Sequence, residues 1–478
     1  MYKLNKLRDA APYLFVSVLH IINQFHFLDQ EIVHTDMPTL LVIGQDVLRG
    51  YLPYENQFEP KGPLLYYFIA LVVYIAKGQL IFVKIINDLL ILLISFVIIK
   101  IAKLQNKSIF LSTSLASLFI LLMSAKGLGQ SGYSEIYGLL PLALATYFYF
   151  ESNFEENRLN FCGLFIGVAC LVHQGIGLFF FSFLLINYIK FSKKGVLNFL
   201  VGFSIPYIFI ALVYLIKEKF SLLIFGYLQF PLTATLQTFD NVYLHNFGHY
   251  LLQVSEGNSL VRLLIILVIT LFTYLITTSF KKNFDLLLLI LASLIFFYIA
   301  STYAVHHLIY LVFFTSISLV NLDKKILLNF FVVATLFTSF ISISTHGKNS
   351  YNNFKNFNSL TENNYNFENI ANEIEERYGS DVEILALDHI IILFYLDVPN
   401  FSYMTHPSIN FEKNYRSTIR EGLNIESDFN FLLSMNPDLI ICNSYLLNTI
   451  NQDCGFAGYE LVNLENSYDS VLIYKSNK

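Results

Sequence analysis

The sequence predicts a polytopic α-helical membrane protein of about eleven transmembrane helices, with a small C-terminal α/β domain outside the membrane. Three observations lead there. Of 478 residues, 55% are hydrophobic and only 14% charged, whereas a soluble chain carries about 25% charged residues. Mean hydropathy is +0.55. The apolar residues also come in long blocks between residues 10 and 343, and runs of about 20 such residues are what bilayer spans require. A net charge of −5, a pI near 6.1 and the lack of a basic stripe point to no nucleic-acid partner. Trp is absent, so the 31 tyrosines must serve any interfacial aromatic belt.

Apolar runs fall at 10–28, 63–77, 80–102, 108–126, 135–151, 160–173, 175–191, 195–216, 260–280, 284–302, 303–320 and 326–343. The first follows Lys3, Lys6 and Arg8 and reads as a retained span, not a cleaved leader. The run at 63–77 opens on Pro63 and covers about 21 Å as a helix, short of a hydrocarbon core of about 30 Å. Charge decides whether it crosses. With a cytoplasmic N-terminus and no crossing at 63–77, the clusters Lys100/Lys103/Lys107, Lys190/Lys193/Lys194, Lys281/Lys282 and Lys324/Lys325 all fall on the cytoplasmic side. A crossing there moves every one of them to the wrong face. Eleven spans with an embedded helix at 63–77 is therefore the expectation. Three larger outer regions result, 29–79, 217–259 and 344–478. Inside the spans, His20, Asn23, Gln24, Lys84, Asn87 and Asp88 are expected to face the bundle interior, with Lys84 and Asp88 pairing at i, i+4.

Residues 1–345 thus form the membrane module. Segment 346–370 is Asn-rich and reads as a linker. Beyond it, β-like runs at 383–387, 438–442 and 470–474 alternate with helical patterns at 367–378 and 425–434, which predicts a soluble α/β domain over 371–478. Cys162 and Cys170 read as small buried hydrophobes, whereas Cys442 and Cys454 pair only if this domain meets an oxidising compartment.

The polar residues gather at the outer ends of the spans, which disfavours a channel or carrier built around the midplane. The first outer loop holds the densest set. A helix is predicted over 37–48, lying in the interface with its apolar face in lipid, ended by Gly50 and followed by Pro53. Asp36 stands at its N-cap, a position for which capping alone accounts. The loop continues through Leu52-Pro53-Tyr54 to Glu59-Pro60-Lys61-Gly62-Pro63.

This pattern of Asp, Gly, Pro-Tyr and Lys-x-Pro resembles the first outer loop of the GT-C membrane glycosyltransferases, close to the protein O-mannosyltransferases and lipid A aminoarabinose transferases. The segment ending in Glu135 resembles their second acidic position, Gly163, Gly167 and Gly175 a glycine-rich span, and His306-His307 the start of a late span. Met37 follows Asp36 where Glu is more usual, Gly62 replaces the first of two prolines, and His173-Gln174 stands where a Lys is common. The resemblance implies inverting transfer of a sugar from a polyprenyl-phosphate carrier to an acceptor glycan, lipid or protein outside a bacterial cell membrane, with a divalent cation as a possible cofactor.

In that chemistry the acceptor hydroxyl needs a carboxylate to take its proton, and Asp36 is the candidate, with Glu135 as supporting acid or metal ligand. The leaving lipid phosphate needs a cation, for which Lys61, Arg49 and His306 are candidates. Glu59 either supports the site or pairs with Lys61. His34 either orients Asp36 or is solvated, and Tyr54 is a further supporting candidate. His306 and His307, being adjacent, are expected to point in different directions. His245 and His249, four apart, suit a metal only if the segment is helical. Asp29, Glu31 and Asp46 read as solvated loop charges. Two other classes compete: a lipid-linked polysaccharide polymerase or ligase, which would be expected to be richer in arginine, and a lipid-linked saccharide flippase or other transporter.

Overall fold

The computed structural model describes residues 2–32, 36–125, 127–129, 132–233, 259–299, 305–321, 325–357, 365–407, 419, 422, 429–443, 458–462, 464 and 471–477. The chain forms two compact units, each drawn from three stretches: 1–29, 84–209 and 241–357 in the first, and 30–83, 210–240 and 358–478 in the second. The first outer loop therefore clusters with the C-terminal region, a grouping that does not follow the order of the chain.

The first unit is built of apolar helices. They include Tyr2–Gln24, Leu80–Leu104, Ile109–Met123, Ser134–Ser152, Leu159–Val172, Gly177–Lys190, Lys193–Ile216, Ser259–Ile299, Ile309–Ser318 and Lys325–Lys355. Their shared core holds Leu115, Phe119, Ile136, Phe179, Tyr310 and Phe314, with the Phe179 and Phe314 rings stacked at 5.1 Å. Helix Ile109–Met123 shows how polar residues are tolerated here. Ser108 caps it by accepting from the Leu111 N–H at 3.3 Å. Ser112, Thr113 and Ser114 each donate their hydroxyl to the carbonyl four residues back, which spares these three donors from facing hydrocarbon. His20, Asn23, Gln24, Lys84 and Asn87 are all buried, as expected. Lys84 donates to the carbonyls of Phe27 at 2.7 Å and Leu28 at 3.1 Å.

Among the described residues, Leu80–Leu104 and Lys193–Ile216 are long and apolar enough to cross a membrane on length and composition. The second is only 22% buried and exposes Leu197, Ile208, Phe209 and Ile216, a surface suited to hydrocarbon rather than water. The runs expected at 260–280 and 284–302 form the continuous helical stretch Ser259–Ile299. Within it, Asn283 donates to the Leu275 carbonyl at 3.4 Å. Eight residues of straight helix rise about 12 Å, so the stretch bends sharply between the two runs.

The linker expected at 346–370 begins as helix instead: Lys325–Lys355 runs well into it. Asn has weak helix propensity, but tertiary contacts override it. Ser350 donates to the Ile22 carbonyl at 2.6 Å and Asn353 to that of Phe25 at 2.9 Å, while His346 stacks on His26 at 4.1 Å.

The second unit contains helices Asp36–Leu48, Pro63–Ala76 and Asn366–Tyr378 and a four-stranded sheet of β1 (Ile384–Ala386), β2 (Leu439–Asn443), β3 (Tyr459–Val462) and β4 (Val471–Ser476) in the order β1-β2-β4-β3. β1 and β2 are parallel, and β4 is antiparallel to both its neighbours. Helix Asp36–Leu48 departs from expectation. Residues 37 to 46 are buried in protein, so no apolar face is left for lipid. Cys442 lies in β2, buried, its thiol against the Leu472 carbonyl at 3.7 Å, and Cys454 is outside the described residues.

In the first unit, helices Leu159–Val172 and Lys193–Ile216 approach through glycines. A methyl group at Gly163 would stand 1.9 Å from the Phe199 carbonyl oxygen, and one at Gly202 2.0 Å from that of Asn160. Both obstacles are backbone, so a side chain forces the helices apart. Gly163→Val and Gly202→Val are each expected to destabilise by about 1–3 kcal/mol or more, read as a lowered midpoint of thermal unfolding in detergent. Gly177→Ala, which meets nothing within 4 Å, should leave it unchanged.

Candidate active site

Two clusters of polar residues stand out, one in each unit. In the second unit, Asp36 is the first residue of its helix and its Oδ1 lies 3.0 Å from His406 Nε2. His406 reaches it because the loop strand at Phe58 pairs in parallel with Met404. Phe58 N–H donates to the Tyr403 carbonyl at 2.7 Å, and Thr405 N–H to that of Phe58 at 3.2 Å. Gln57 fixes the register, accepting from the Thr405 hydroxyl at 2.6 Å and donating to the Asn400 carbonyl at 2.8 Å. Glu59 follows at once and is buried. Burial raises its pKa, and Asp36 adds to the rise against the opposing charges of His406 and Lys61. Burial pulls His406 down, but Glu59 and the hydrogen bond and charge of Asp36 outweigh it, so the imidazole ends above its ordinary value. The result is a compact array of two carboxylates, an imidazole and an ammonium.

The backbone carrying Glu59 and Lys61 is held by phenols. Tyr214 donates to the Pro53 carbonyl at 3.0 Å and Tyr403 to that of Tyr54 at 2.5 Å. Tyr66 donates to the Glu59 carbonyl, and Tyr54, itself at φ 69°, to that of Lys61. Each ring also fills apolar space, which suits tyrosine to a loop buried at this depth.

In the first unit, Glu135 sits in the first turn of Ser134–Ser152, 1% exposed. Three imidazoles converge on its Oε1: His173 Nε2 at 3.3 Å, His307 Nε2 at 3.6 Å and His306 Nε2 at 3.9 Å. His173 occupies an extended residue between two helices, and its Nδ1 accepts the Gly175 N–H at 3.2 Å. A side chain at Gly175 would strike the Phe296 ring at 2.2 Å. His306 stacks on Tyr133 at 4.1 Å. The expectation that His306 and His307 point apart is corrected: their rings lie 4.3 Å apart and approach the same carboxylate oxygen. They lie in a 3₁₀ turn, Val305–Leu308, rather than in the body of an α-helix.

The structure thus brings Asp36, Glu59 and Lys61 together, and separately Glu135 with His306. It does not bring Arg49 to Asp36. Arg49 follows the far end of that helix, about 19 Å along the axis, and is bonded to Asp46 and Asp397 at 2.7 Å each. Asp46 is no solvated charge: it is buried and also accepts from Asn56 at 2.9 Å. Burial raises its pKa despite Asn56 and Arg49. Glu31 differs too, capping helix Asn366–Tyr378 through the Phe367 N–H at 3.2 Å and accepting from Tyr395 at 3.1 Å. Burial pushes it up to about 7. Asp29 is exposed, as expected. His34, His245 and His249 lie outside the described residues. His406 and the three bracing tyrosines Tyr66, Tyr214 and Tyr403 carried no sequence signal that links them to the loop.

A divalent cation, if one is used, finds a suitable donor set at Glu135, His306 and His307, whose ligand atoms all lie within 4.8 Å of one another. Imidazole nitrogen with one carboxylate oxygen suits zinc and its first-row neighbours better than magnesium, which prefers oxygen throughout.

No family model matches the chain, and no curated protein matches it. Solved structures do share its fold. The apo aminoarabinose transferase ArnT of Cupriavidus metallidurans superposes with a TM-score of 0.59 at 12% identity, covering 96% of this chain and 97% of that one. The same enzyme bound to undecaprenyl phosphate gives 0.58 at 14%, with the same coverage. The oligosaccharyltransferase AglB of Archaeoglobus fulgidus, in complex with an inhibitory peptide and a dolichol-phosphate, gives 0.50 at 11%, covering 92% and 70%. This is the fold of the GT-C superfamily.

Two predictions follow from the geometry. Removing a phenol hydroxyl strands a buried carbonyl, so Tyr66→Phe and Tyr403→Phe should each cost about 1–3 kcal/mol and speed amide exchange across 53–61. For His406, a native pKa above the ordinary 6.5 means its stabilisation is complete below that value and is lost as pH rises through the native one. The stability gap between wild type and His406→Gln should therefore narrow from pH 6 to pH 9, measured by denaturation at each pH. A constant or widening gap contradicts it.

Proposed function

We propose that this chain is an inverting glycosyltransferase that moves a sugar from a polyprenyl-phosphate carrier to an acceptor hydroxyl outside the cell membrane. The observation that carries the proposal is the array of Asp36, His406, Glu59 and Lys61. It sets two carboxylates beside an imidazole and an ammonium at one end of a braced loop. The bound undecaprenyl phosphate and dolichol-phosphate of the fold relatives support the donor class. We further propose eleven spans with Pro63–Ala76 embedded, a cytoplasmic N-terminus and an outer C-terminal region, in keeping with the lysine distribution.

In the proposed reaction Asp36 accepts the acceptor hydroxyl's proton as the oxygen attacks the anomeric carbon. The bond from that carbon to the phosphate oxygen breaks, and its electron pair leaves with the polyprenyl phosphate. Base and leaving group lie on opposite faces of the sugar, which inverts the centre. Lys61 offsets the charge that develops on the departing phosphate. His406 is a positioning residue: its hydrogen bond fixes Asp36 through Oδ1. A divalent cation, where one is bound, would be held within the first unit by Glu135, His306 and His307.

Asp36→Asn keeps the size but removes the base, so transfer should fall about 10²–10⁴-fold. The assay uses purified protein in lipid, radiolabelled polyprenyl-phosphate sugars and a cell-envelope extract as acceptor. Full activity in the folded variant rejects Asp36 as base. Lys61→Met should lower transfer with little effect on folding.

A further inference from the structure

Helix Asp36–Leu48, which the sequence places at the membrane interface, is buried in protein, yet the same unit holds another helix with the face that such a role requires. The chain leaves Lys193–Ile216 through a turn with Glu218 at φ 57° and the Lys219 N–H bonded to the Tyr214 carbonyl at 2.9 Å. It then forms the apolar helix Phe220–Thr233. One side of this helix carries the loop. Phe225 and Phe230 pack on the Phe58 ring at 6.0 and 4.9 Å. Gly226 lies so close to Tyr54 that a methyl group there would stand 2.6 Å from its ring, and Lys219 at the root is 3.5 Å from Glu55. The other side is open: Phe220, Ile224, Leu228 and Leu232 are 37, 39, 53 and 63% exposed.

These four residues recur at every fourth position. In a plain α-helix of 3.6 residues per turn that spacing drifts by about 40° per step, so the last side chain would stand about 120° round from the first. Residues Phe225–Gln229 form a π turn instead, whose i→i+5 bonds wind the chain more slowly and reduce the drift. The result is a single exposed apolar stripe, a surface that calls for an occupant. What adjoins it identifies that occupant. Leu212, Leu215 and Ile216, which end the preceding span, are exposed as well, so the stripe continues a surface suited to hydrocarbon. Lys217 and Lys219, both exposed, stand between the two segments, where they complement anionic lipid headgroups. We propose that Phe220–Thr233 lies in the outer surface of the bilayer, with its apolar stripe among the acyl chains and Lys217 at the headgroup phosphates, and that through Tyr54 and Phe58 it fixes the level of loop Pro53–Lys61 at the membrane. An amphipathic helix seated in this way is held by its apolar face and its flanking cations together. A lipid-linked phosphate also lies at that level, so Lys61 and Glu59 are set at the depth where such a donor presents its head. The choice of the outer side and the loop's part in transfer rest on the function proposed above; the seating in lipid does not.

The seating is tested with nitroxide labels on full-length protein in nanodiscs of phosphatidylcholine and phosphatidylglycerol. Cys162, Cys170 and Cys442 are buried, so Cys454→Ser provides the background. Into it go Ile224→Cys, Leu228→Cys and Leu232→Cys, with Glu375→Cys on the exposed side of helix Asn366–Tyr378 as the water-facing reference. Collisions with dissolved oxygen, which concentrates in hydrocarbon, are compared with those of a water-soluble nickel chelate. The ratio should favour oxygen at 224, 228 and 232 and nickel at 375. A ratio favouring nickel at 228 and 232 overturns the seating. Dipolar broadening between labels at 228 overturns it too, since it gives the face to a second copy of the chain. The brace is tested with Leu228→Glu combined with Leu232→Glu, or with Leu232→Gln alone should thermal unfolding show that the double variant does not fold. Amide exchange across 53–61 should speed while that of β2 stays unchanged, and KM for the polyprenyl-phosphate donor should rise more than kcat falls. Unchanged exchange across 53–61 overturns the brace whatever the activity. Transfer absent even from wild type overturns the function proposed above and leaves the label and exchange results to decide this inference on their own.

Discussion

A carboxylate taken out of water must be met by donors, and the polar architecture of this chain follows from that requirement. Leaving a buried charge unpartnered costs several kcal/mol, more than any one apolar contact returns. Asp36 and Glu135 accordingly have imidazole nitrogens at 3.0 and 3.3 Å, brought from distant parts of the sequence, and Glu59 has the charges of His406 and Lys61 near it. The partner of Asp36 lies 370 residues away. Three separate stretches meet at Glu135. To hold such partners the segments bearing them must be fixed in register. The parallel pairing of Phe58 with Met404 and the two hydrogen bonds of Gln57 perform that task for His406.

The backbone has the same need as the charges. The loop from Pro53 to Lys61 forms no regular sheet or helix, so its carbonyls lack ladder partners, and four phenol hydroxyls take their place. Tyrosine suits the role because its ring buries apolar area while its hydroxyl donates at a fixed distance, and it has few torsions to immobilise. A loop tied at both ends and at its turn holds Glu59 and Lys61 with little freedom. Such preorganisation keeps charges in place before a substrate arrives.

Much of this was legible in the sequence, and the failures share a cause. Long apolar runs gave the helices of the first unit because burial there depends on local composition. The short helix at Pro63 and the strands β1, β2 and β4 follow likewise from their own residues. β3 escaped notice because its residues, Tyr459 to Val462, are only half-buried or exposed and carry no apolar alternation. Asp36, Glu59 and Lys61 were singled out because the pattern of their loop resembles that of the GT-C glycosyltransferases. His406 was not, since nothing within a few residues of it distinguishes it from a solvated histidine. Asp46 and Glu31 were misread for the same reason. Whether a loop carboxylate is solvated depends on what packs over it, here Asn56 and Arg49 for one and the start of helix Asn366–Tyr378 for the other. His173 was noticed only as a departure from a lysine, and its 3.3 Å approach to Glu135 Oε1 is made by residues too far apart in the chain for local pattern to show.

The choice of imidazole over guanidinium has a chemical consequence. An arginine beside a carboxylate stays charged at every accessible pH and lowers the carboxylate's affinity for protons. Arg49 illustrates this use: it is bonded to Asp46 and Asp397, where a permanent charge gives permanent structure. A histidine carries its charge only below its own pKa. When that charge is lost, the paired carboxylate becomes a stronger base. Placed beside Asp36, His406 fixes the orientation of the carboxylate through one oxygen with a charge it can lose, where a guanidinium would impose a permanent one. A base that must take a proton from an acceptor hydroxyl and later release it needs that latitude. The distribution of partners therefore sets a permanent charge at the far end of the helix and a titratable one at its start, where the proposed base stands.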